Sequence, residues 1–283
     1  MAGKNNNIDD LKLHFDSLFC FASQVPFTNN HPLPVIQAVK SLIGINPEEP
    51  PPVLLKWLEI YIKNFNLEIK NIKTNNLHEI EVVNIANLGD SINDNNKTKA
   101  LGYLRQLTRV ASVEYIAEYL MELATNKSSC HILFCWNIFK TIRHAKEEEL
   151  YPLLELSVAC LLDMGKNKNP KDCELLFYYK QINKTPLIRS STFFPKLDEK
   201  INSIRSIVLS ESETLLPENI LNYIIKYGII GLSDSLKQLS IDELNSQMLL
   251  RLDSMRSNIQ YSNNKKEFLF DLISNKRGGE NVK

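Results

Sequence analysis

Between residues 51 and 65, Val53, Leu54, Trp57, Leu58, Tyr61, Ile62 and Phe65 recur at intervals of three and four. That is the pitch of a single helical face, and it excludes the strict alternation a half-buried strand requires. Glu59 and Lys63 lie on the opposite face as an i,i+4 pair in the favourable order. The prolines at 50–52 suit a first turn, where a missing amide hydrogen costs nothing. The same period predicts helices over 8–22, 33–43, 77–87, 97–110, 113–124, 129–144, 148–164, 171–182, 196–208, 217–227, 233–239, 241–259 and 265–274. No run of residues reads as a ladder of strands. The expected fold is therefore all-α: a multi-helix array of antiparallel helical hairpins, either α-solenoid-like or an irregular helical globule.

Local punctuation agrees with this pattern. Gly44, Gly89, Gly165 and Gly228 each follow a periodic segment, where a left-handed residue after the helix is wanted. Ser240 and Glu243 have the spacing of a capping box, and Pro217 suits a first helical position. Pro152 is discordant: it fits only if it falls in the first turn of 148–164, and otherwise the helix is kinked or begins later. Linkers are expected at 44–50, 66–76, 89–96, 165–170, 184–195 and 209–216. An echo of Tyr115 to Leu120 in Tyr151 to Leu156 recurs at a repeat-like offset, as helical repeat units would show. These features predict one all-α domain over 8–275, with two lobes joined at 184–195 as the alternative and flexible tails at 1–7 and 276–283.

The charge balance narrows function. Among 283 residues, Lys+Arg and Asp+Glu are 33 each, so the broad basic footprint of a non-specific nucleic-acid binder is missing. The apolar runs are too short for a signal-peptide core or a membrane span, which predicts a soluble chain. Cys20, Cys130, Cys135, Cys160 and Cys173 are odd in number, and at least three fall in apolar helical stretches. This usage suits a reducing compartment and predicts a cytoplasmic location.

One hairpin carries complementary charge. Arg105 and Arg109 lie on the helix predicted over 97–110, and Glu114 and Glu118 on the one predicted over 113–124. A reversal at Ala111 and Ser112 would set Arg109 opposite Glu114 and Arg105 opposite Glu118, as a register-setting zipper. The functional rival is that these four residues dock a partner. Phe193 and Phe194, in a linker, are a second candidate anchor for a partner.

Motifs for chemistry are sparse. Cys130, His131 and Cys135 share a predicted helix, but structural zinc needs four ligands and no second Cys/His pair stands nearby. No metal and no cofactor is expected. No glycine-rich phosphate loop and no nucleophile elbow occurs. The loop Thr28, Asn29, Asn30, His31, Pro32 could hold a ligand or could supply turn and capping residues. Lys140, Arg143 and His144 end a predicted helix, where cations complement its dipole.

Asn30, His31, Pro32, Leu33 and Pro34 leading into a helix, then Trp57 to Tyr61, then His131 opening a long helix, together resemble the order of features in questin-oxidase-like helical proteins. The resemblance spans the first half of the chain on scattered positions. Ile132 to Cys135 stand where that family has an arginine-containing stretch, and no histidine follows His144. The resemblance implies a helical enzyme or small-ligand protein with a buried pocket near His31 and His131. The preferred expectation is a non-catalytic helical interaction or scaffold protein whose partner is another protein.

Overall fold

The computed structural model describes residues 3–67, 84–125, 127, 129–163, 227 and 230–261. The described residues are helical, without strands. In chain order the helices are α1 (Gly3–Gln24), α2 (Leu33–Ile43), α3 (Pro52–Ile62), α4 (Ile85–Asn93), α5 (Lys97–Val110), α6 (Val113–Thr125), α7 (Ser129–Ile142) and α8 (Glu147–Asp163). A helical run over 230–238 and a 3₁₀ turn (Ile241–Glu243) then lead to α9 (Ser246–Tyr261). No helix among the described residues is long and apolar enough to cross a membrane.

Two helices organise the packing. α2 is buried along almost its whole length, from Leu33 to Val39 and again at Leu42 and Ile43. It packs against α1, α3 and α7, and most extensively against α9, some 200 residues later in the chain. α8 touches α1, α4, α5, α6 and α7. In a regular stack each unit meets only its sequence neighbours, and these contacts instead join elements far apart in the chain. The proposed division at 184–195 and the tail at 276–283 lie outside the described residues, as do the helices expected at 171–182, 196–208 and 265–274 and nearly all of the one at 217–227; of the tail expected at 1–7, residues 3–7 belong to α1.

The turn between α4 and α5 shows how local sequence sets the path. The predicted linker over 89–96 is helical as far as Asn93, because Ile85, Leu88 and Ile92 keep the helical pitch. Asn84 opens α4 by accepting a hydrogen bond from the Ala86 amide. Asn95 closes it at φ 56°, where asparagine is one of the few residues that enters the left-handed region readily. The Asn95 and Asn96 amides donate back to the carbonyls of Ile92 and Ser91, and the Asn96 side chain then caps α5 through the Lys99 amide. One asparagine ends a helix and the next begins another.

The glycines behave differently from expectation. Gly44 has φ −63°, so it ends α2 without a left-handed residue. Gly89 lies inside α4 and is buried, since its missing side chain lets the Tyr119 ring of α6 come close. Gly165 and Gly228 lie outside the described residues.

Two other expectations shift. Pro152 is the sixth residue of α8, past the first turn. The amide it lacks would have served the carbonyl of Glu148, an exposed residue that water reaches. The predicted helix over 241–259 divides in two. The Glu243 carboxylate accepts hydrogen bonds from the Ser240 amide and hydroxyl, but this box opens only the 3₁₀ turn. Leu244 is extended, and Asn245 caps α9 through the Met248 amide.

Candidate functional site

His31 sits in the short loop between α1 and α2 and is fully buried. Its Nδ1 accepts a hydrogen bond from the Leu33 amide at 3.2 Å, and its Nε2 lies 3.2 Å from the Val25 carbonyl oxygen. A backbone amide can only donate and a carbonyl can only accept, so these partners assign the hydrogen to Nε2. The ring satisfies an amide at the start of α2 that has no acceptor within the helix, and ties that start to the end of α1. It also stands edge-on to Phe134 of α7, with centroids 5.4 Å apart, and Phe134 stands edge-on to Phe27. Both ring nitrogens of His31 thus meet backbone groups.

His131 lies in the first turn of α7 and is also buried. Burial, and then the positive charge of Lys127, push its pKa down to about 4, so the ring is neutral at pH 7. Lys127 is half-buried between α6 and α7 and donates to the Leu161 carbonyl near the end of α8 at 2.9 Å. Burial lowers its proton affinity, while the thiols of Cys160 and Cys135 act in the opposite direction. Lys127, His131, Cys135 and Cys160 therefore form one electrostatic neighbourhood where α6, α7 and α8 meet. Lys127 was not singled out from the sequence, although its spacing of four from His131 and of eight from Cys135 was visible. Among the described residues no group of three or more His, Cys, Asp or Glu is placed to hold a metal ion.

A second polar contact crosses the core. The Gln37 amide of α2 donates to the Thr141 hydroxyl of α7 at 2.6 Å, and that hydroxyl donates to the Asn137 carbonyl. Both residues are buried, so the pair holds α2 and α7 in one register.

The cations at the end of α7 have company from two other helices. Arg143 lies over the Phe139 ring, which stacks on Trp136. Lys40 of α2 lies over the Phe19 ring of α1. His144 has its proton affinity lowered by partial burial, then by Lys40, with Asp16 opposing and Lys12 and Arg143 adding to the depression. These charges gather at the C-terminal ends of α2 and α7, where cations offset the helix dipoles.

The charged corner departs from the zipper. α5 and α6 leave their two-residue turn in different directions: α5 lies against α4 and α8, while α6 lies mainly against α7 and α8. Arg105 reaches the ring of Tyr151 on α8, with its guanidinium carbon 5.8 Å from the centroid. Among the described residues no ion pair joins Arg105 to Glu118 or Arg109 to Glu114. The physical reason is one of scale. Burying Leu104, Leu107, Ile116 and Leu120 is worth about 1.5–3 kcal/mol for each side chain, against about 0–1 kcal/mol for a surface ion pair. The buried faces therefore set the direction of each helix. The corner is left projecting, with Val110 70 % exposed and Tyr115 41 % exposed beside the exposed Arg109 and Glu114. Glu118 is half-buried. Phe193 and Phe194 lie outside the described residues.

Comparisons with protein-family models, with curated proteins and with solved structures gave no match to this chain.

Proposed function

We propose that the protein is a non-catalytic interaction protein that binds another protein through a helical surface, of which the α5–α6 corner is the best-defined part. The observation that carries this reading is the corner itself. Val110 at the end of α5 and Tyr115 in the first turn of α6 are exposed large hydrophobic residues, and each has an exposed charged neighbour in the chain, Arg109 and Glu114. Aromatic, apolar and arginine side chains grouped at a projecting tip have the composition of an interface centre.

The engagement of His31 supports the same choice. A general base needs a ring nitrogen available to substrate, whereas both nitrogens of His31 are engaged with the backbone. This engagement favours a structural role for His31 over its use with His131 as a catalytic pair.

The test compares proteins captured by the intact chain with those captured by Val110→Asp and Tyr115→Ser, after circular dichroism has shown the helical content unchanged. The expected result is loss of a defined bound protein in both variants. Identical capture by all three chains would overturn the assignment of this corner.

A further inference from the structure

The two helices that meet at the corner carry opposite charge without exception. α5 holds Lys97, Lys99, Arg105 and Arg109 and no acidic residue, while α6 holds Glu114, Glu118 and Glu122 and no basic one. Arg105 is engaged with Tyr151, but Arg109 and Glu114 flank the turn, are exposed, and make no ion pair among the described residues. The exposed Arg109 and Glu114 on either side of the turn are complementary to themselves under a two-fold rotation, which sets Arg109 of each copy against Glu114 of the other. Val110, at the tip and largely exposed, would then lie close to the axis. A partner of uniform charge would be attracted by one of these two residues and repelled by the other, whereas a second copy satisfies both at once.

We propose that the α5–α6 corner pairs two copies of this chain about a two-fold axis, with Arg109 of each against Glu114 of the other and Val110 against Val110 at the centre. The proposal rests on the interaction reading above and specifies the partner. The pairing is the cross-helix match that the divergence of α5 and α6 denies within one chain, made between chains instead. Its small apolar centre makes it a concentration-dependent association rather than an obligate one.

The test is sedimentation velocity over a concentration series on the full chain, on Arg109→Glu, on Glu114→Arg, and on an equimolar mixture of the two variants. Both positions are exposed, and circular dichroism verifies that each variant folds. The intact chain is expected to dimerise with rising concentration, and less so at high salt. Each reversal gives positions 109 and 114 the same sign of charge, so each variant alone is expected to self-associate at least about tenfold more weakly. The mixture is expected to recover a dimer containing one copy of each, which identifies the pairing residue by residue. A dimer indifferent to both reversals would overturn the proposal, because the contact would lie elsewhere. A chain that stays monomeric to its solubility limit would also overturn it. In that case, loss of a different captured protein on Arg109→Glu would leave the interaction reading standing, and unchanged capture would remove both.

Discussion

The Tyr119 ring of α6 lies against Gly89 of α4 so closely that a single methyl group at Gly89 would overlap the tyrosine hydroxyl. A Cβ at position 89 would force the tyrosine ring to shift from its place between α4 and α6. Gly89→Ala is expected to destabilise the fold by about 1–3 kcal/mol, the usual cost of an overpacked core, despite the better helix propensity of alanine. Adding Tyr119→Phe removes the overlapping oxygen and should return most of that loss. Denaturant unfolding of the four chains of this cycle measures the coupling, and additive effects would show that the two residues do not meet.

The hydrogen on His31 gives a second prediction. Nitrogen-15 spectra of the imidazole should show the neutral form protonated at Nε2, because the Leu33 amide claims Nδ1. His31→Ala leaves the Leu33 amide and the Val25 carbonyl without this partner in the interior, at about 1–3 kcal/mol for each. Melting should reveal that loss. A fully stable variant with the Nδ1 tautomer in the parent chain would contradict the assignment.

His131 makes stability depend on pH. Its folded pKa of about 4 lies below the unfolded value of 6.5, so between these pH values the unfolded chain binds a proton that the folded chain refuses. The stabilisation is complete above pH 6.5 and is lost as the pH falls from there to about 4, amounting to about 3 kcal/mol at 1.36 kcal/mol per pH unit. Urea titrations in that window should show the slope, and His131→Leu should flatten it. A slope that survives the substitution would assign it to other groups.

Trp57 anchors the C-terminal part of the described structure to the N-terminal part. Its indole nitrogen donates to the Leu244 carbonyl at 3.0 Å, and its ring stacks on Tyr61. Trp57→Phe keeps an aromatic ring and removes the hydrogen bond, for a cost of about 0.5–1.5 kcal/mol. Hydrogen exchange should quicken around residues 241–250 and remain as before in α6 and α7. Uniform acceleration would mean that the bond contributes to the whole fold rather than to this attachment.

The periodicity made the helices legible because burying an apolar stripe dominates the energetics of this chain. The bounds of α2 and α5 follow from sequence alone. α4 was harder to see, since Leu88, Gly89, Asp90, Ser91 and Ile92 mix turn-forming residues into a helical pitch, and Gly89 is present for its contact with Tyr119. The charge stripes on α5 and α6 were also visible, but their mutual position depends on where α7 and α8 draw the two apolar faces, and no local pattern encodes that. His31 illustrates the same limit. Its place before a proline and a helix was readable, whereas the two backbone groups that occupy its ring depend on how the end of α1 turns.

The packing of α9 on α2 has a consequence for synthesis. α2 leaves the ribosome roughly 200 residues before α9, its most extensive neighbour among the described residues, which at about 5–20 residues per second is a wait of roughly 10–40 s. For that time the stripe that α9 covers lacks this neighbour on the nascent chain. A chain that ended before Ser246 would lack the helix that packs most extensively on α2 among the described residues, and so could not complete that part of the core.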